Sequence, residues 1–85
     1  MRSVDLHGHT PDNALRLLGQ ELHSARVRGE AELLVITGRG VGNRRGEPIL
    51  RGYVETWLRG PEGQRHGVIR FSRSRDGGSL QVQLK

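Results

Sequence analysis

The stretch Val4-Asp5-Leu6-His7-Gly8-His9-Thr10-Pro11 holds the end of a strand, a turn and the start of a helix. Val4 and Leu6 alternate with Asp5 and His7, the period-2 pattern of a half-buried strand. Gly8 permits a sharp turn, and Thr10-Pro11 reads as an N-cap followed by proline at the first helical position. Asp5 and His7 are therefore expected at or just beyond the carboxyl end of a strand over Ser3 to His7, with a helix N-terminus beside them. In open α/β sheets ligands bind at that rim.

From this turn a helix is predicted over Pro11 to Arg28. Leu15, Leu18, Leu22 and Ala25 lie on its apolar face, Ala14 flanks it, and Gly29 is the C′ residue. Leu33-Leu34-Val35-Ile36 is a continuous apolar run, read as a strand with both faces largely covered. Strand, eighteen-residue helix and strand make a parallel βαβ unit the default. Thr37 to Glu47 follows, rich in glycine and arginine. Pro48 is expected to open a second helix, with Leu50, Tyr53, Val54, Trp57 and Leu58 at helical spacing, and Gly60-Pro61 to end it. Glu62 to Arg65 reads as a polar connector. Val68–Phe71 and Ser79–Leu84 read as strands joined through Arg73–Gly78 as a hairpin, with Ile69, Phe71, Leu80, Val82 and Leu84 on the apolar side. The expected fold is an α+β two-layer sandwich of βαβαββ order: a mixed four-stranded sheet with two helices on one face.

With 85 residues, the chain is one domain with a small core. It has no cysteine, so disulfides and thiolate metal sites are excluded, and no apolar run has the length of a membrane span. A cytoplasmic protein is expected. The net charge of +5 is uneven, with a balance of −1 over residues 1–38 and +6 over residues 39–85, and thirteen of the fourteen basic side chains are arginine. Arginine forks two hydrogen bonds to a phosphate, so a polyanionic partner is expected, nucleic acid above all. Arg44, Arg45, Arg70, Arg73 and Arg75 read as backbone contacts of that kind.

Thr37-Gly38-Arg39-Gly40 also follows directly on a strand, so the two rim loops are expected to meet in one site. Unhindered amides and a guanidinium suit a phosphate. The stretch is neither a Walker A loop, since no Gly-Lys-Ser/Thr follows, nor a dinucleotide fingerprint, since Asn43 occupies the third glycine position. His7 can exchange a proton near neutral pH, and Asp5 can orient its ring. No tight pair of ligand residues appears, so no permanent zinc site is expected.

Taken together, Asp5-Leu6-His7-Gly8 and, some thirty residues later, Thr37-Gly38-Arg39-Gly40 resemble the paired signature of the small MutS-related (Smr) domain family. Val4 replaces the commoner leucine, and Arg39 stands where lysine or arginine is usual. The resemblance implies the same βαβαββ architecture, similar to the C-terminal domain of translation initiation factor three. It also implies endonuclease activity, a role that Asp5 and His7 inherit; Arg39 is expected to join them as a catalytic residue, and His9, Thr37, Gly38 and Gly40 to be among the residues that hold nucleic acid. No cofactor is required if His7 acts as a base on RNA; a Mg2+ or Mn2+ ion held by Asp5 and His7 is the competing route and would also cut DNA. A binding module docked on nucleic acid or on a larger ribonucleoprotein such as the ribosome, without cutting, is the alternative from another class.

Overall fold

The computed structural model describes residues 2–38 and 50–85. The chain runs β1 (Arg2–Asp5), α1 (Pro11–Val27), β2 (Glu32–Ile36), α2 (Leu50–Arg59), α3 (Pro61–Arg65), β3 (Val68–Arg73) and β4 (Ser79–Leu84). The expected opening of the second helix at Pro48 lies outside the described residues.

The four strands form one mixed sheet in the order β1-β2-β4-β3. β1 runs parallel to β2, and β4 is antiparallel to both β2 and β3. The register aligns Val4 with Val35 and Val35 with Leu80, so the apolar side chains of adjacent strands share one face. That face and the helices enclose the core: Leu6, Leu33, Val35, Leu80, Val82 and Leu84 from the sheet side, Ala14, Leu18, Leu22 and Ala25 from α1, and Val54 and Leu58 from α2.

Local chemistry explains the first helix. The Thr10 side chain accepts from the Asn13 amide, Pro11 stands at the first turn, and Asp12 and Arg26 sit at the helix ends where their charges match the dipole. Gly29, at φ +72°, takes the left-handed conformation that ends the helix, and the Glu30 amide then reaches the Ala25 carbonyl. Arg2 locks β1 to this unit, its guanidinium pairing with Glu30 at 2.7 Å and Glu21 at 2.9 Å.

Several expectations are corrected. Strand one ends at Asp5, because the chain turns immediately after Leu6. Leu34 and Ile36 are only half-buried, since the helices cover one face of β2 and polar residues of β1 and β4 flank these two on the other. In α1, Ala14 is buried and Leu15 only partly so, which turns the stripe by about one position. Tyr53 is exposed, because the buried stripe of α2 runs through Val54 and Leu58.

The connector at 62–65 is a short helix. Gly60 lies in extended conformation at its N-cap position, and Pro61, its first residue, needs no amide partner there. β3 is bulged: Val68 faces Leu84 and Arg70 faces Gln83, leaving Ile69 as the extra residue. Val68 and Phe71 therefore share the core side, and Ile69 is exposed rather than aligned with Phe71.

Candidate functional site

Asp5 is the last residue of β1, and its parity with Ser3 places it on the face of the sheet away from the helices, beside Ile36. Two residues on, His7 stands in the turn that Gly8 makes at φ +80°. One carboxylate oxygen, Asp5 Oδ1, accepts the His7 amide at 3.1 Å and lies 2.5 Å from His7 Nδ1. The hydrogen bond from the imidazole, then that from the amide, holds the Asp5 carboxyl below the usual carboxylate range. His9 adds a weaker attraction of the same sign. An ionised Asp5 places the ring proton on Nδ1, so the neutral imidazole carries its lone pair on Nε2. Both side chains are more than half exposed, so this nitrogen is held on an open rim.

The second loop meets the first. Gly38 takes φ +83°, and a methyl group built on it would stand 3.3 Å from His7 Cβ, so its backbone lies directly against the histidine. Thr37 is buried, on the core side of β2. The amides of Thr37 and Gly38 both donate to the Gly78 carbonyl at 3.0 Å. These two amides are therefore committed to the β3–β4 turn, which corrects the expectation that they face a phosphate. Arg39, Gly40, Arg44 and Arg45 lie outside the described residues.

The remaining arginines separate. Arg75 is exposed in the β3–β4 turn, which adjoins Gly38 through Gly78. Arg70 lies on the open face but donates to Gln83 at 2.6 Å. It is three strands and four residues of register away from Asp5, or about 20 Å from standard sheet spacings. Arg73 points to the helix side and forks onto Glu55 at 2.6 and 2.8 Å. Glu55 is a buried carboxylate that sequence reading missed. Arg73 chiefly, with Arg59 and Arg51 at 4.0 Å, keeps its carboxyl below the ordinary range. Arg73 thus joins β3 to α2, a structural engagement that its place in an arginine-rich hairpin did not disclose.

A metal ion at this rim would have Asp5 and His7 as donors. Their Oδ1 and Nδ1 face each other, and among the described residues no group of three His, Cys, Asp or Glu side chains is arranged to hold a cation. No helix among the described residues is long and apolar enough to cross a membrane.

A two-layer sheet-and-helix domain with an Asp-x-His pair at the end of β1, backed by a glycine loop after β2, defines a class of nuclease-related domains. The Smr domain family model matches residues 4–85, and the chain belongs to that family. Solved structures agree. The Smr domain of Thermus thermophilus MutS2 is 29% identical with a TM-score of 0.78, covering 100% of this chain and 99% of its own. The human small-MutS related domain is 33% identical with a TM-score of 0.70, covering 96% and 99%. The SMR domain of NEDD4-binding protein 2 is 32% identical with a TM-score of 0.71, covering 100% and 86%. No curated protein sequence matches the chain. Smr domains are associated with nucleic acid, and often with endonuclease activity.

Proposed function

We propose that this chain is an endonuclease acting on nucleic acid, RNA in the first place, and that His7 is its general base. The observation that carries this reading is the contact between His7 Nδ1 and Asp5 Oδ1 on an exposed rim, with Gly38 packed behind the histidine. A carboxylate so placed fixes the ring, sets the tautomer and stabilises the imidazolium that forms on proton uptake.

On RNA, His7 Nε2 takes the proton of a ribose 2′-OH. The freed O2′ attacks the adjacent phosphorus, and the bond to the 5′-oxygen breaks. That oxygen leaves with a proton taken from water, the His7 imidazolium returns its own proton to water, and the products are a 2′,3′-cyclic phosphate and a 5′-hydroxyl. Arg39, next to Gly38 in sequence, supplies positive charge as the phosphorane builds. His9, exposed beside the pair, and Arg75, in the adjoining turn, contact the flanking phosphates.

The test is cleavage of end-labelled RNA and matched DNA by wild type and His7→Ala, each with EDTA and with magnesium. The expected result is EDTA-resistant cutting of RNA that ends in a cyclic phosphate, with affinity retained and cleavage lost in the variant. Magnesium-dependent cutting of both polymers would move Asp5 and His7 to the role of metal ligands. Equal binding with no cutting by either protein would leave a binding module.

A further inference from the structure

Two consecutive carbonyls in the β3–β4 turn hold the residues on either side of segment 39–49. Gly78 O accepts the amides of Thr37 and Gly38, which leave β2. Gly77 O accepts Arg51 Nη1 at 3.0 Å, from the first turn of α2. The turn itself is braced from within, because Asp76 Oδ1 accepts both the Ser74 hydroxyl and the Gly78 amide, and Ser74 Oγ accepts the Ser79 amide. α2 is in turn fastened to the end of β3 by Glu55 and Arg73. A continuous set of contacts therefore runs from Arg51 through Gly77 and Gly78 to Gly38, and from Gly38 to His7.

We propose that Arg51 is a positioning residue for the Asp5–His7 pair, acting through the Gly77 and Gly78 carbonyls. Its consequence for cleavage rests on the nuclease reading above. Arg51 touches neither Asp5 nor His7, and its guanidinium is largely covered, with Nη1 spent on Gly77. Gly77 takes φ +75°, and a Cβ there would stand 2.7 Å from Arg51 Nη1, so a side chain at this position would displace the guanidinium from where it now lies. Without this tie the turn keeps its internal bonds and the Arg73–Glu55 link at its base, but its tip at Gly77 and Gly78 loses its direct hold on α2. The Gly78 carbonyl then no longer fixes Thr37 and Gly38 at the depth that places Gly38 against His7. A misplacement of about 1 Å at a reacting group, caused from a distance, can cost on the order of 10²-fold in rate.

The experiment uses the full chain with Arg51→Met, which keeps the aliphatic stem, and Arg51→Lys, which keeps a donor. Amide hydrogen exchange at Thr37 and Gly38, the imidazole NMR signals of His7, and kcat and KM on the polymer that wild type cleaves are measured together. In Arg51→Met, exchange at Thr37 and Gly38 is expected to accelerate by about five- to tenfold, the loss of one hydrogen bond. The Leu33 and Val35 amides should stay unchanged, the His7 signals should move, kcat should fall at constant KM, and Arg51→Lys should recover much of each change. The proposal is overturned if Thr37 and Gly38 exchange as in wild type, or if Leu33 and Val35 accelerate equally, which would be a global loss of stability. It is also overturned if only KM rises, which would make Arg51 a nucleic-acid contact. A wild type that cuts nothing removes the nuclease reading, and the exchange and imidazole signals alone then decide whether Arg51 positions His7.

Discussion

Gly38→Ala, compared with Gly8→Ala, tests whether the loop after β2 sets the histidine. Both glycines have left-handed backbones, at φ +83° and +80°. Alanine in that conformation costs about 1–2 kcal/mol. At this chain length each kcal/mol lowers Tm by roughly 4–8 °C. The two sites differ in what the new methyl meets: nothing within 4 Å at position 8, and His7 Cβ at 3.3 Å at position 38. Gly38 cannot simply retreat, because its amide is tied to Gly78. Either the loop absorbs the contact at about 1 kcal/mol beyond the backbone strain, or His7 shifts by a few tenths of an ångström and its bond to Asp5 is disturbed. Thermal melts followed by circular dichroism read the first outcome, and the His7 imidazole signals with the cleavage rate read the second. Gly8 adjoins His7 in sequence, so strain passed along the chain would harm Gly8→Ala more. Equal melting temperatures, imidazole signals and cleavage in the two variants would refute the argument that the Gly38 contact positions His7.

Glu55→Gln should cost about 1–3 kcal/mol at pH 7 in urea melts, because it removes the charge that Arg73 forks onto. The Glu55 carboxyl is held below its ordinary value, so its stabilisation is present above about pH 4.3 and fades as pH falls through the lowered folded value; the gap to Glu55→Gln should close in acid. Gly63→Ala places a methyl 1.9 Å from the Leu58 carbonyl oxygen, a backbone atom, so α3 must move off α2, and a loss of about 3 kcal/mol or more is expected by denaturant unfolding. His66 stacks on Trp57 with ring centroids 5.7 Å apart, and burial pushes its pKa down. Fluorescence of Trp57, the single tryptophan, should titrate with a midpoint below the usual value near 6.5, and His66→Phe should abolish the transition. The stability that neutral His66 adds is present above that usual value and is lost as pH falls through it toward the lowered one.

The sheet and its helices were legible because each depends on local chemistry: Thr10-Pro11 and Gly29 bound α1, and the alternation of Leu80, Val82 and Leu84 sets the face of β4. The short α3 was not, since nothing in Glu62–Arg65 is periodic over so short a span; its helix follows from Gly60-Pro61 and from packing on α2. The bulge at Ile69 was hidden because Ile-Arg-Phe-Ser alternates as well as any regular strand, and only pairing with β4 shows the extra residue. Within the site, Asp5, His7 and Gly38 could be named from sequence because adjacent turns place them. Glu55 and Arg51 could not, because their partners, Arg73 and Gly77, are 18 and 26 residues distant, and such pairs leave no local trace. Arg73, read as one more contact to a nucleic-acid backbone, is claimed by the same long-range pairing.

The Gly78 carbonyl carries an implication for biosynthesis. Asp5 and His7 are synthesised well before the acceptor that fastens Thr37 and Gly38 beside them, which is made some forty residues after that loop. β4, which wedges between β2 and β3 and brings Gly78 into place, is completed only at Leu84. Chains grow at about 5–20 residues per second and domains fold as units. A growing polypeptide therefore displays its Asp-x-His turn for seconds before the surrounding architecture exists, and any shortened product ending ahead of Gly78 lacks the carbonyl that fastens Gly38 beside His7.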